Sequence, residues 1–498
     1  MRRDTSRAVL VLILLLSGGC VPGRRAYFGT MRRHRSEAYR RWRARERREE
    51  LPRLDGPLYL EEAARLSLAH NASLRAILQQ KENARGRVVE ARSEALPAVT
   101  VGGEYARLDQ VFVVDLGVQS FQVGDRDNYM YRVDVVQPLF KGGSIFIAQR
   151  AAKLFSYLTD ERVRGTVTGV IFDVTDAYYA AVLAGRQVEV QEAALKSAQA
   201  QLESVRARRQ EGVATEFDVL RARVDVSNIQ AELIDQRSRL DSARARLLRV
   251  MGVSQRSRVT LETELQYERD EAPSFPAAVR AAFTNRPDIY RAAINLDLQQ
   301  EAVKNAYTDY FPNLEAYGWR LWSKPDPHEA SNIQWDTQWQ YGVRLNWTIF
   351  DGLAREGRII QQQALARQRG IELADAEQQA LQEVKDALTE LESATELVES
   401  QKLNLRRADR ALSLVQAGYR EGVNTELEVL DARAALTQAR GLYYTALHRH
   451  TMARVNLQRA MGLLGPRPGA ETVPEEAPPL GAVAAGGESE EERNPNEE

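Results

Sequence analysis

Apolar residues recur along two long stretches of this chain at the spacing of a helix that packs lengthwise on its neighbours. Val188, Leu195, Leu202 and Val205 mark one ladder, and Val398, Leu405, Leu412 and Val415 repeat it 210 residues later. Steps of seven place these residues on one coiled-coil seam, and the surrounding alanines let neighbouring helices approach closely. No proline falls between Pro138 and Pro273 or between Pro327 and Pro466, and Ala, Leu, Glu, Arg and Gln dominate both runs. From about Gly143 to Gln210 the pattern predicts one nearly continuous helix, on the order of 100 Å long at 1.5 Å per residue. A stripe of that length has no place in a compact core. It must pack along similar helices.

Between the long helices the period changes to two. Tyr341, Val343, Leu345, Trp347 and Ile349 alternate with Gly342, Arg344, Asn346 and Thr348, so one face is apolar and the other polar. Tyr317, Trp319 and Leu321 alternate in the same way across the hairpin, and five of the six tryptophans lie between Trp319 and Trp347. A soluble sheet covering a core shows such a pattern, and so does a membrane barrel with aromatic-rich strands. Four strands cannot close a barrel, and open edges are not tolerated in hydrocarbon. In a membrane, two chains would supply eight strands and three would supply twelve; the pattern fits both.

The whole plan occurs twice. "QEGVATEFDVLRAR" at 210–223 and "REGVNTELEVLDAR" at 420–433 agree at nine of fourteen positions. "YRVDVVQPLFKGG" at 131–143 stands 210 residues before "YGVRLNWTIFDGL" at 341–353, "ALPAVTV" at 95–101 matches "YFPNLEA" at 310–316, and "HNAS" at 70–73 corresponds to "TNRP" at 284–287. Each unit of roughly 200 residues reads helix, strand, strand, long helix, turn, helix, which makes the chain a tandem duplication. The divisions expected are a signal at 1–19, an N-terminal arm at 20–57, repeats at 58–265 and 266–465, and an acidic tail at 466–498.

Composition changes the picture mainly at the ends. Net charge is −1, so no overall basic field argues for nucleic acid, and the single cysteine rules out an intrachain disulfide. That cysteine follows "MRRDTSRAVLVLILLLSGG", whose apolar run is too short to span a bilayer and reads as a secretory signal. It is similar to a lipoprotein signal in which Cys20 becomes the acylated first residue, although Ser17 stands where such signals usually carry Leu. Eleven arginines with Tyr27, Tyr39 and Trp42 fill residues 24–48; in an exported protein they read as a solvated arm near acidic lipid headgroups. The Pro-, Gly- and Glu-rich tail reads as disordered.

On the duplicated plan, "LPAVTV" and "YFPNLEA", "LFKGG" and "IFDGL", and the paired "EGVxTExxVL" turns, residues 58–464 resemble the TolC-type outer membrane efflux proteins of Gram-negative bacteria, in their lipid-anchored branch. The resemblance implies an α+β membrane protein: a homotrimer whose chains give four strands each to one transmembrane β-barrel, continued by a coiled-coil helical barrel in the periplasm. It implies passive conduction in a tripartite system, with an inner-membrane efflux transporter supplying energy and a periplasmic adaptor protein gripping the helical tips. The tip positions are Gly212, Val213 and Thr215 and their counterparts Gly422, Val423 and Thr425. Glu428 and Asp431, three apart on one helical face, match the acidic constriction of the pore. Asp218 and Tyr419 match positions of a latch that holds it shut, while Asn424 replaces a basic residue common there.

The rival reading is a periplasmic coiled-coil scaffold or adaptor lipoprotein without a pore, which leaves the paired aromatic hairpins unexplained. No enzyme is expected, because Walker-type phosphate loops, HExxH, a nucleophile elbow and clustered cysteines are all missing from the sequence. No cofactor or metal site is expected either. His448 and His450, two apart on a helix, point in different directions and read as surface residues.

Overall fold

The computed structural model describes residues 37–40, 43, 51–115, 117, 120–267, 272–329 and 332–466. Cys20, the signal, most of the basic arm and all but the first residue of the acidic tail lie outside the described residues. The first half runs through β1 (Asp55–Leu58), α1 (Leu60–His70), α2 (Ala72–Ser93) and β2 (Ala98–Arg107). It continues with two short strands, β3 (Phe112–Asp115) and β4 (Ser120–Val123), then β5 (Asp127–Lys141), α3 (Ser144–Gln210), α4 (Glu216–Met251) and β6 (Arg258–Leu261). The second half consists of α5 (Phe275–Asn285), α6 (Pro287–Thr308), β7 (Asn313–Lys324), β8 (Asp336–Asn346), α7 (Ala354–Arg420) and α8 (Glu426–Ala460).

The long helices α3 and α7 have 67 residues each, about 100 Å at 1.5 Å per residue. Most of their apolar ladders are buried, Val188, Leu202 and Val205 in α3 and Val398 and Leu412 in α7, while Leu195, Leu405 and Val415 are half-buried. α3 packs along α4 and α7 along α8, while α8 also lies against α3 and so joins the halves. The first predicted helix of each unit is in fact two. Asn71 ends α1 and caps α2, accepting from the amides of Ser73 (2.8 Å) and Leu74 (3.3 Å). In the second copy Pro287 opens α6, where its missing N–H costs nothing. The "HNAS" and "TNRP" segments are therefore helix breaks.

Midway along the helices the largest apolar cluster gathers Leu58, Tyr178, Leu247, Met251, Val259 and Val398. A parallel pairing of β1 with β6, Asp55 opposite Arg258, closes it. No local pattern announces this pairing, which joins segments some 200 residues apart. Tyr178 is fully buried; its hydroxyl donates to the Leu58 carbonyl at 2.7 Å and accepts from the Thr263 amide at 3.2 Å. Two loose edge segments are thereby tied to α3.

At one end of the helices, β2, β5, β7 and β8 form a single antiparallel sheet in that order, so hairpins from both halves meet at β5–β7. Residues paired directly across an antiparallel sheet share a face. Val135 faces Val99 and Gly318, Tyr131 faces Gly103 and Trp322, and Tyr341 faces Gly318. Tyr317, Trp319 and Leu321 pair with Gly342, Gln340 and Gln338 instead. They lie on the polar face, opposite to Tyr341, a relation that the alternation in each strand leaves open.

Candidate functional site

The sheet presents one apolar face to the outside. Val101 (74% exposed), Tyr341 (76%) and Val343 (62%) stand uncovered with Val99, Tyr105, Tyr131, Trp339 and Leu345. The opposite face carries Thr100, Glu104, Arg132, Asp134, Gln338, Gln340 and Arg344, with Arg132 bonded to Asp134 at 2.7 Å. Aromatic rings bracket the apolar band. Tyr105, Tyr129, Tyr131 and Trp335 contact one another at the far end, next to Trp339 stacked on Tyr341. At the helical end, Trp347 donates its indole N–H to the Tyr310 carbonyl at 3.1 Å. Arg320, a charged residue within the apolar face, lies with its guanidinium 5.0 Å from the Trp322 ring centre, while Arg107 and Lys324 sit at the far end of that face. β2 and β8 are the edges of this sheet, and neither has a second strand partner among the described residues.

The opposite end of the molecule holds the two repeated turns. Each long helix stops in the same way. Val213 and Gly212 donate to the carbonyls of Arg208 and Arg209, and Val423 and Gly422 to those of Gly418 and Tyr419. This double closure requires a left-handed residue after the helix, and Gly212 (φ 80°) and Gly422 (φ 77°) supply it. Each following helix begins with a reciprocal cap. Thr215 accepts from the Asp218 amide while Asp218 accepts from the Thr215 amide, and Thr425 with Glu428 repeats the exchange. These closed loops leave Val213 (74% exposed) and Val423 (80%) projecting at the tips as paired apolar knobs, with Phe217 and Leu427 also exposed just beyond them.

Equivalent positions in the two turns then diverge. Arg209 pairs with Glu216 at the surface of the first turn. In the second, Tyr419 and Glu426 occupy those positions, and Glu426 is buried. Its Oε2 accepts from Gln201 Nε2 at 2.6 Å, and the Tyr419 hydroxyl interacts with the same carboxyl. Burial raises the Glu426 pKa, against the lowering effect of Tyr419, Gln201 and Arg433. Arg208 crosses from α3 to lie 4.3 Å over the Tyr419 ring and donates to the Tyr419 carbonyl at 3.0 Å. Its counterpart is Gly418, and a Cβ there would meet Asn424 Oδ1 at 1.9 Å. One copy thus reaches across; the other makes room.

The acids singled out in the sequence are all at this end. Asp218 and Glu428 are each held in a cap, and hydrogen bonds lower both pKa values, chiefly from Thr215 in one and from the Thr425 amide in the other. Asp431 is exposed one turn beyond Glu428. Within the chain Asp218 bonds Thr215, whereas Tyr419 meets Glu426 and Arg208. No local signal in the sequence separates Glu426 from its twin Glu216, which follows the same cap threonine and lies exposed. It also passed over Arg433, buried and ion-paired with Asp225 of α4 beside a cleft of about 470 Å³ between α3, α4 and α8. His450, expected at the surface, is buried with its ring 5.1 Å from Tyr267, and His448 is half-buried with its pKa lowered by burial. The apolar cluster at the centre of the bundle covers the helix face that carries His450.

Comparison with known proteins places this geometry in context. The family model for outer membrane efflux proteins matches residues 63–253 and 278–463. The chain is similar to the outer membrane protein TolC of Escherichia coli, 21% identical over 428 residues that cover 83% of each protein. It is also similar to the alkaline protease secretion protein AprF of Pseudomonas aeruginosa, 23% identical over 342 residues, 68% of this chain and 71% of AprF. Among solved structures, that of the transmembrane channel CusC matches with a TM-score of 0.70 at 18% identity, covering 81% of this chain and 92% of that one.

Proposed function

Because this chain belongs to the outer membrane efflux protein family, we propose that it is the outer-membrane channel of a tripartite efflux or export system. Family membership carries an outer-membrane location and a channel role without catalysis. Three copies complete the structure, each giving four strands to one twelve-stranded barrel and its helices to one periplasmic tube. The observation that supports this best is the sheet: one face predominantly apolar and largely exposed, bracketed by aromatic rings, with both edges open among the described residues. Open edges are costly in lipid, and joining β8 of one copy to β2 of the next removes them. Acylation of Cys20 anchors the N-terminus in the same membrane.

The tips then face an adaptor protein. Val213, Val423 and the capped Thr215 and Thr425 offer rigid apolar knobs for its helices, and Gly212 and Gly422 set their angle. Glu428 and Asp431 line the constriction, collecting six carboxylates across three copies. Such a ring favours cations and repels anions. Hydrogen bonds from Thr425 and Asn424 lower the Glu428 pKa and so favour its charged form, which suits that role. Asp218 and Tyr419 take part in the latch between neighbouring chains, with Arg208 and Glu426 as its partners inside each chain. An inner-membrane transporter supplies the energy, and conduction through the channel is passive.

Planar-bilayer recording tests the reading. The wild-type chain, extracted as a heat-sensitive trimer, is expected to open cation-selective pores. The double substitution Glu428→Gln with Asp431→Asn should abolish most of that selectivity while leaving the trimer intact. Unchanged selectivity would remove the acidic ring from the constriction. A monomer released from the membrane by Cys20→Ser would overturn the channel reading itself.

A further inference from the structure

We propose that the turn joining β7 to β8 binds one divalent transition-metal ion of the zinc class through Asp326, His328 and Asp336. The site was not expected from the sequence and does not rest on the channel reading. One donor atom from each of the three residues lies within 4.8 Å of the other two. His328 Nδ1 stands 3.3 Å from Asp336 Oδ2 and 3.6 Å from Asp326 Oδ1. The longer separation is not a hydrogen bond. Both match the edge of a tetrahedron around a zinc ion with bonds of about 2.0–2.1 Å, which is roughly 3.4 Å. One imidazole and two carboxylates form a donor set that suits zinc better than calcium or magnesium, which take oxygen ligands.

The surroundings are organised as a binding site would be. Asp326, 9% exposed, accepts from the amides of His328 at 2.7 Å and Glu329 at 3.2 Å, and from Asn332 Nδ2 at 3.0 Å. These bonds fix the carboxyl before any ion arrives, the part played by outer partners at known metal sites. A second observation points independently to a ligand. Ser323 stands directly opposite Asp336 in the β7–β8 register, so both side chains leave the same face of the sheet. Ser323 is 8% exposed, and its Oγ has no hydrogen-bond partner among the described residues. Buried hydroxyls are seldom left unpaired. A water completing the tetrahedron would bond it. The ion would tie the start of the turn to the start of β8.

Zinc titration of the full-length, untagged chain in detergent tests the site by calorimetry, with Co²⁺ absorption as the second readout. One ion per chain is expected, with the intense visible bands of tetrahedral Co²⁺. His328→Gln and Asp336→Asn should each weaken binding by at least about tenfold, and Ser323→Ala by about the same factor or less. His328→Cys should retain binding and add a thiolate-to-Co²⁺ band, which separates lost ligation from a disturbed turn. No zinc uptake by the wild-type chain would overturn the proposal. So would uptake unchanged in His328→Gln, which would place the ion elsewhere.

Discussion

A single arginine on the sheet separates a membrane-facing surface from one that meets water. Val343 lies midway between Trp339 and Trp347 on the apolar face and is 62% exposed. Eight residues at about 3.3 Å each give roughly 26 Å along the strand. A tilt of about 40° reduces this to roughly 20 Å of depth, near the height of a barrel's apolar band. Val343→Arg would therefore put a charge near the bilayer midplane, at a cost of about 2–4 kcal/mol per chain. At 1.4 kcal/mol per factor of ten, that is a loss of about 30- to 700-fold in the folded ratio. Three chains sharing one barrel feel it three times. Gln340→Arg serves as the control, because Gln340 faces Trp319 on the opposite side of the sheet. Urea unfolding in lipid vesicles, followed by tryptophan fluorescence, gives the magnitude, and the heat-sensitive oligomer band gives assembly. The expected result is a large loss for Val343→Arg and a small one for Gln340→Arg. Equal stability of Val343→Arg and wild type would refute the reasoning, since an arginine at that exposed position is harmless only in water.

Three further outcomes follow from particular side chains. Burial holds the folded-state pKa of Glu426 above its unfolded value, so the native tip keeps that proton more tightly and gains stability as pH falls through the raised value. Asp218 and Glu428 are lowered, so their contribution is present above the ordinary carboxylate range and is lost on stronger acidification. Protection factors across 419–429, with the intrinsic pH dependence of amide exchange divided out, should therefore rise on mild acidification and fall at lower pH, and Glu426→Gln should remove the first change but not the second. Arg433→Met leaves Asp225 without its buried partner; about 3 kcal/mol is expected, the lower end for a broken buried pair because Asp225 is part-exposed. Asp225→Asn combined with Arg433→Met should recover part of it in thermal unfolding. Tyr178→Phe deprives the Leu58 carbonyl of its donor, at about 1–3 kcal/mol, measured as a lower melting temperature with the oligomer retained.

Much of this fold is legible in the sequence because its elements are long and their signals local. A 67-residue helix announces itself through seven-residue apolar steps and the want of proline, and both long helices end at the glycines read as breaks. The caps at Thr215 and Thr425 are equally local, a hydroxyl and a carboxylate three residues apart. The alternation of 341–349 gives a strand with one apolar face, although β8 ends at Asn346 and leaves Trp347 and Ile349 beyond it. Apart from the helix breaks at Asn71 and Pro287, what the reading missed is mostly relational. Alternation says which residues of β7 share a face but not which face of β8 they join, and only the pairing of Tyr317 with Gly342 puts its aromatic row on the polar side. β1 and β6 are four residues each, too short for a period to register, and they exist because they pair with each other.

The sequence by itself determined the duplication, the long helices, the turn chemistry and the amphipathic hairpins. Those follow from backbone hydrogen bonding and side-chain period, which residues a few positions apart settle among themselves. The tertiary structure alone decided which of two matched acids matters. Glu216 and Glu426 follow the same cap threonine and precede the same apolar positions. Yet one is exposed to water and the other is enclosed by Tyr419 and Gln201. The difference arises because Arg208 reaches over the second turn while Gly418 leaves the space for Asn424. It also decided that Asp326, His328 and Asp336 meet, and that Ser323 is buried beside them. Burial and charge environment depend on what packs from elsewhere in the chain, and no local pattern carries that information.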